Sequence, residues 1–404
     1  MRNLWSSLVK FFVSLRLTVV LLALSIVLVF VATLAQTRLG VWGVHQGYFH
    51  TFIVWEAFKG VAVPVFPGGY VIGGLLFLNL VSAHLYRFKL TWRKLGIHLT
   101  HAGVVLLLLG ELLSGLWQQE FQLRFGEGDT KNYAESPRDY ELALLDTTDP
   151  KFDDVVAIPA ELLERGQPLT LSNSQGQALP FRVLPRVYYP NADLRGPAQP
   201  PGELPGSQLA NAGVGPKLSV TPLPVTSKDE EMNLPVASVE LVGPDHSLGT
   251  WLVSPMLDAP MPDGSLPFPP QTVKDAAGHT WRLALRSTRD YEPFSLTLIK
   301  ASHDVYPGTK IPKNFSSRVH LKSADGRDDS EKLIYMNAPL RYRGLTFYQQ
   351  AMGENESVLE VVRNPSWQLP YISCLLVAGG LIFQFGLTLV NFISRRKATA
   401  ASGS

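Results

Sequence analysis

The chain has 404 residues, and its 36 Lys and Arg against 34 Asp and Glu leave a formal net charge of +2, which does not indicate a nucleic-acid partner. Charged residues make up only 17% of the sequence, which is low for a purely soluble protein and favours a membrane part joined to a separate domain. The single cysteine, Cys374, excludes within this sequence a disulfide, a CxxC redox pair and a CxxCH haem-attachment motif.

Four apolar segments predict membrane spans, because each approaches or exceeds the roughly 20 residues that a helix needs to cross a bilayer. They are residues 17–36, 68–86, 95–117 and 367–394. The first segment has an alternative interpretation as a cleaved signal peptide, but its apolar core is too long for a typical signal. The fold class that follows is an α+β membrane protein: four transmembrane helices with a large β-rich extracytoplasmic domain inserted between helices three and four.

Basic residues predict the orientation of these spans. The tail 1–16, the loop 87–94 and the tail 395–404 each contain Lys or Arg and no acid. The positive-inside rule places all three in the cytoplasm. The loop 37–67 and the domain 118–366 then face the opposite side.

The pattern of residues 118–366 is typical of short strands. Residues 121–125 (FQLRF), 237–242 (ASVELV) and 281–285 (WRLAL) alternate apolar and polar side chains, as do residues 317–321 and 357–362. One stretch, 158–165, has a helical pattern. The Pro- and Gly-rich stretches 190–235 and 255–270 are predicted to be long excursions from this β core.

Two histidines in the third apolar segment are the main site candidates. His98 and His101 lie in its first two turns, where ionisable side chains are uncommon and tend to mark a function. Neutral imidazole is a usual haem ligand. Their i, i+3 spacing puts both on roughly one face, so a second axial ligand would come from another helix or chain. His84, near the end of the second segment, has a depth comparable to that of His98. The alternative is that all three are interfacial histidines bonded to neighbouring helices.

Other polar residues carry weaker signals. Glu111 is interpreted as an interfacial acid, and His45 and His50 as part of an aromatic boundary belt in the first loop. No GxSxG, HExxH or P-loop motif is present, so no complete catalytic centre is predicted. Four further histidines without ligand spacing are predicted to be solvated: His246, His279, His303 and His320.

Six motifs point to one family. They are 14–37 (SLRLTVVLLALSIVLVFVATLAQT), 79–94 (NLVSAHLYRFKLTWRK), 101–110 (HAGVVLLLLG), 119–129 (QEFQLRFGEGD), 314–321 (NFSSRVHL) and 337–349 (NAPLRYRGLTFYQ). With them the chain resembles the ResB (CcsB) family of cytochrome c maturation, system II. Two positions depart from the family pattern: Asn364 begins an Asn-Pro-Ser-Trp sequence where Asp-Pro is usual, and Glu111 follows Gly110 where a small residue is common.

The resemblance implies a partner-dependent role in cytochrome c assembly. Members act with a multi-helix membrane protein of the ResC/CcsA type, which carries a Trp-rich outer motif, to move haem outward and present it to apocytochrome c. The eight tryptophans of this chain are dispersed, so it corresponds to the partner-dependent half of a holocytochrome c synthase. In fused relatives a histidine of the third helix is a transmembrane haem ligand, and His101 matches it by its distance to Gly110.

The resemblance also implies a multi-pass protein of the bacterial cytoplasmic membrane with its large domain on the periplasmic side. Two other functions stay open at this point. One is a membrane-anchored β-domain scaffold that binds no haem itself, and the other is a transporter subunit for a different hydrophobic ligand.

Overall fold

The computed structural model describes residues 9–86, 91–149, 153–173, 175–196, 204–228, 231–259, 266–308, 312–353 and 355–402. The chain divides into two compact units. The first contains the chain up to Gln119, a short segment at 227–228 and the chain from Arg363 onward. The second contains most of the residues between them, and each unit is described by itself below.

Four helices of the first unit are long and apolar enough to cross a membrane. They are α1 (Leu15–Val44), α2 (Gly69–Tyr86), α3 (Leu95–Trp117) and α7 (Leu369–Ser402). Helix α1 runs further than the predicted segment 17–36. It is interrupted at Gly40, whose φ of 72° lies in the left-handed region that glycine adopts without strain, and it ends in a π turn, His45–Phe49. Residues 87–90 of the basic loop, including Arg87 and Lys89, lie outside the described residues.

A two-stranded hairpin connects α1 to α2. Strands β1 (Ile53–Phe58) and β2 (Val61–Pro67) pair in antiparallel register, and the turn between them uses positive φ at Lys59 and Gly60. Val54 is buried against α1 and α2 together with Ile72. Most other hairpin side chains are exposed apolar residues.

The second unit is built from strands. One sheet of ten contains β3 (Gln119–Gly126), β4 (Thr130–Asp146), β5 (Asp154–Pro159) and β12 (Gln271–Lys274), followed by β13 (Thr280–Val305), β14 (Pro312–Ser323), β15 (Asp329–Tyr335), β16 (Leu340–Tyr342), β17 (Leu345–Met352) and β18 (Glu356–Arg363). A second sheet pairs β6 (Arg182–Tyr189), β10 (Val236–Val242) and β11 (Ser247–Val253). The five segments predicted to be strands all lie in these strands. The predicted helical stretch 158–165 starts as strand and includes the short helix α4 (Ala160–Glu164).

The long strand β13 joins two hydrophobic cores. Its first half contributes Trp281, Leu283 and Leu285 to one core, and its second half contributes Phe294 and Leu296 to the other. Register shifts at 287–289 and at 291–296 separate the halves. Because such irregularities bend a strand, one strand can serve both cores.

The Pro-rich excursion 190–235 also folds in its described parts. Strands β7 (Ala192–Arg195), β8 (Leu204–Pro205) and β9 (Ser219–Pro222) form a small sheet, and the helix α5 (Gly206–Leu209) follows β8. Ala192, Val220 and Leu252 belong to its own small core. In the excursion 255–270, the helix α6 (Pro255–Asp258) is described, and residues 260–265 lie outside the described residues.

A buried polar network links the motifs 314–321 and 337–349. Ser317 on β14 and Ser357 on β18 are fully buried, with their hydroxyl oxygens 2.7 Å apart. The Ser317 hydroxyl also donates to Gln349 Oε1 at 2.6 Å, and Gln349 Nε2 donates to Ser357 Oγ at 3.2 Å. These bonds satisfy polar groups that would otherwise be costly to bury.

Ser317→Ala should therefore destabilise the second unit by about 1–3 kcal/mol, because it leaves buried partners unsatisfied. Thermal unfolding of the full chain measures the change, and limited proteolysis after each heating step reports whether the strands of the second unit have unfolded. Ser316→Ala is the matched control, since side chains alternate along a strand and Ser316 points to the other face. Equal behaviour of the two variants would contradict the role assigned to the network.

Candidate functional site

The site is organised by a seam of three glycines on α3. Gly96, Gly103 and Gly110 are all buried and lie seven residues apart, so they share one face of the helix. A Cβ atom added at Gly96 would lie 2.6 Å from the Gly380 carbonyl oxygen, and one added at Gly103 would lie 2.8 Å from that of Ser373. Small residues of this kind allow two membrane helices to approach closely. The seam therefore fixes α3 directly against α7.

Hydrogen bonds hold the Trp117 end of this helix pair. Asn364 Nδ2 donates to Ser114 Oγ at 3.0 Å and to Gln118 Oε1 at 2.9 Å. The hydroxyl of buried Ser366 lies 2.9 Å from that of Ser114. An aspartate side chain at 364 could not donate these two bonds, so asparagine, which departs from the family pattern, suits the acceptors that Ser114 and Gln118 present here.

The glycine seam directs the histidines away from α7. His101 precedes Gly103 by two residues, which is about 200° around the helix axis, and His98 follows Gly96 by two. Both imidazoles therefore lie on the face opposite the seam. His101 is exposed and His98 is half-buried.

His84 of α2 lies against both histidines of α3. Its ring centroid is 5.1 Å from that of His98 and 5.8 Å from that of His101, with interplanar angles of 84° and 65°. The structure thus brings the three predicted site residues together. The rings meet edge to face with no gap between them, so His84 and His101 do not stand on opposite sides of a porphyrin.

Asn79 fixes the helix that carries His84. Its side chain is buried and accepts a hydrogen bond from Thr18 Oγ1 at 2.6 Å, while its Nδ2 donates to the carbonyl oxygen of Phe12 at 2.6 Å. Polar side chains that bond across helices stabilise packing in a bilayer. This clamp joins the start of α1 to α2 about one turn before His84.

The basic residues Arg93 and Lys94 lie at the start of α3 and are exposed. We call this end of the helix the basic end and the Trp117 end the distal end. His101 lies about 10 Å from Lys94 along the helix axis. An imidazole on an otherwise apolar, exposed face, with cations within reach, fits haem as a single axial ligand.

A second pair of histidines lies at the distal end. His50 stacks on Tyr70 with a centroid distance of 5.7 Å, and its ring is also 5.7 Å from that of His45. Burial lowers the pKa of His50 and the neighbouring His45 lowers it further, whereas Glu111 opposes the shift. His45 and His50 were predicted to share a boundary belt and Glu111 to be a separate interfacial acid, and the structure brings all three close together.

The remaining histidines lie in the second unit. His246, His279 and His303 are exposed and His320 is half-buried. His279 Nδ1 is 3.1 Å from Asp275 Oδ2, and His303 stacks on Phe315. Among the residues that the structure describes, no three His, Cys, Asp or Glu side chains are arranged to hold a metal ion.

Comparisons with known proteins give a consistent result. Residues 275–366 match the model of the ResB-like family, a stretch that contains both the 314–321 and the 337–349 motifs. The resemblance to the ResB (CcsB) family is confirmed. The ResB-like stretch lies mainly in strands β13 to β18 and does not include the histidine cluster.

Two curated relatives match shorter parts of the chain. The protein NrfI of Wolinella succinogenes is 31% identical over 93 residues, which is 22% of this chain and 10% of that protein. The cytochrome c biogenesis protein CcsB of Crocosphaera subtropica is 41% identical over 56 residues, 14% of this chain and 12% of that protein. The alignments thus span about a tenth of the length of these relatives. The name of the second relative assigns that protein to cytochrome c biogenesis.

Proposed function

We propose that this chain is the ResB-like subunit of a system II cytochrome c synthase complex, which helps to deliver haem across the membrane and presents it for attachment to apocytochrome c. The proposed partner is a multi-helix membrane protein of the ResC/CcsA type. The four apolar helices, the ResB-like stretch and the names of the relatives support this assignment.

The observation that carries the proposal is the placement of His101. The glycine seam packs the opposite face of α3 against α7, and the ring of His84 contacts that of His101 at one edge while the His101 side chain stays exposed. An exposed imidazole inside a membrane helix is costly unless a further group covers it. A haem supplied with the partner would cover it, with His101 as the residue of this chain that would hold the iron.

The chain's other residues have positioning roles in this scheme. Arg93 and Lys94 lie at the boundary where they attract the haem propionates. The ring of His84, which contacts those of both His98 and His101, restricts the orientation of His101. The β-rich domain, inserted between helices three and four and extracytoplasmic, receives or shields the substrate on the far side.

Co-expression tests the proposal. Membranes containing this chain together with its ResC-type partner should show a haem absorbance that membranes with the partner alone lack. Membranes with the partner and a His101→Ala variant are the control and should resemble the partner alone. Equal absorbance in all three samples would contradict haem delivery through this chain.

The edge contacts of His84 favour a second candidate function. Because His84 packs against the rings of both His98 and His101, the cluster also fits a purely structural role, joining α2 to α3 in a membrane-anchored scaffold. If the chain is only a scaffold, the partner should still assemble with the His101→Ala variant. The haem content of that sample should then equal that of the sample with the native chain. The same co-expression experiment therefore separates the two functions.

Sidedness is tested by cysteine labelling. We propose that the N-terminus, the 87–94 loop and the C-terminus are cytoplasmic. Cysteines introduced at Asp149 and Asp325 should react with a charged thiol reagent in intact spheroplasts, and one introduced at Thr91 only after the membrane is opened. Native Cys374 lies within α7 and should react poorly, because apolar surroundings suppress thiolate formation. Labelling of the Thr91 site in intact spheroplasts would show the opposite orientation and contradict this proposal.

A further inference from the structure

The distal histidine pair owes its geometry to the π turn after α1. His50 N–H donates to the His45 carbonyl oxygen at 2.7 Å, five residues back. In an α-helix, side chains five residues apart point about 140° away from each other. The wider turn brings the two rings to one side instead, with centroids 5.7 Å apart and planes at 83°. Such π turns are rare in proteins, and those that occur are often found at functional sites.

Neighbouring elements hold the pair from two sides. Tyr70, at the start of α2, stacks flat on His50 with an interplanar angle of 3°. On α3, a Cβ atom added at Gly115 would lie 3.3 Å from His50 Nε2, so the glycine leaves room for this nitrogen. Glu111 lies one turn earlier on the same face of α3. Neither histidine ring has a hydrogen bond within the described part of the chain.

We propose that His45 and His50 form a second imidazole site, which binds a transition-metal centre through their ring nitrogens. Imidazole suits zinc, copper, nickel and iron. The centre is either a free divalent ion, which both rings share, or the iron of haem, which one ring ligates. Among the described residues, no group of three His, Cys, Asp or Glu side chains is arranged to hold a metal ion, so water, porphyrin or a partner supplies the other positions.

This site is distinct from the histidine cluster of the proposed function. Gly115 lies fourteen residues beyond His101, which is about 21 Å along the axis of α3. The two sites thus occupy opposite ends of the same helix. The inference does not rest on the haem-delivery proposal and can hold if that proposal fails.

Residue-level histidine modification tests the inference in the full chain in detergent. Carbethoxylation at each histidine is quantified by mass spectrometry with Zn²⁺ alone, with haemin alone and with neither. We expect at least one of the two additives to reduce modification of His45 and His50 several-fold, while exposed His246 is unchanged. Protection by Zn²⁺ only identifies a free-ion site, and protection by haemin only identifies a haem-iron site. Unchanged modification of both residues under both additives would overturn the inference.

A variant tests whether the two rings act together. His45→Gln changes an exposed side chain and keeps the backbone bond of the π turn, so folding should be preserved. Protection of His50 by Zn²⁺ should then require a several-fold higher Zn²⁺ concentration, because a free ion is shared by both rings. His303→Gln, an exposed histidine of the second unit, is the matched control and should leave protection unchanged. Full protection of His50 by Zn²⁺ at the native concentration in the His45→Gln variant would overturn the sharing of a free ion by the two rings.

Discussion

His101→Ala should reduce holocytochrome c at least about tenfold in cells that depend on this protein. The estimate follows because losing groups that only orient a metal ligand already costs about 10–100-fold in metal affinity or activity. The imidazole of His101 lies on the face of α3 opposite the glycine seam, so its removal should not disturb the packing with α7. Haem staining of membrane cytochromes measures the effect.

His101→Gly with added imidazole provides the control for ligation. Free imidazole can enter the space left by the side chain and restore a nitrogen ligand, so cytochrome c levels should recover. His84→Gly and His98→Gly remove the neighbouring rings and should be rescued poorly, because their roles depend on ring packing. Rescue of all three variants alike, or of none, would contradict the assignment of His101 as the ligand.

Gly380→Leu should prevent the close packing of α3 and α7. A Cβ atom at Gly380 would already lie 2.7 Å from the Gly96 carbonyl oxygen and 2.7 Å from the Thr100 backbone nitrogen. Backbone atoms cannot rotate away, so the variant should reach at least the upper end of the usual overpacking cost of about 1–3 kcal/mol. Fluorescence-detected gel filtration after a heating series measures the surviving monodisperse protein.

The adjacent glycine is a matched control for that variant. Gly379 is exposed, and a Cβ atom there meets nothing within 4 Å. Gly379→Leu makes the same chemical change one residue away and should keep the melting behaviour of the native chain. Similar losses in both variants would show that the close approach of α3 and α7 does not depend on the seam.

The sequence predicted the elements of this protein better than their contacts. Long apolar runs are recognisable because a helix must satisfy its backbone in a bilayer, and alternating segments such as 281–285 are recognisable because strand side chains alternate. The histidines on α3 were found for a similar reason, since a titratable side chain stands out in an apolar run. The site residues on α3 and α2 were therefore available from sequence.

The contacts between helices were missed because their signals are weak or unusual. The heptad of Gly96, Gly103 and Gly110 is visible in the sequence, and a search for small residues at helical spacing could have found the seam. Asn79 looked like part of a family motif and gave no sign of its bonds to Thr18 and Phe12. The pairing of His45 with His50 could not be predicted, because a π turn has no clear sequence signature and α-helical geometry separates residues five apart.

A ligand exchange at position 101 tests the central claim most directly. The complex of this chain with its ResC-type partner is purified with native His101 and with His101→Cys, and the haem spectra are compared. If His101 ligates the iron, the cysteine variant should retain haem and show a shift toward a thiolate-ligated spectrum, because axial-ligand identity tunes the iron. His98→Cys should leave the spectrum unchanged. A haem-containing His101→Cys complex with the native spectrum would contradict the account.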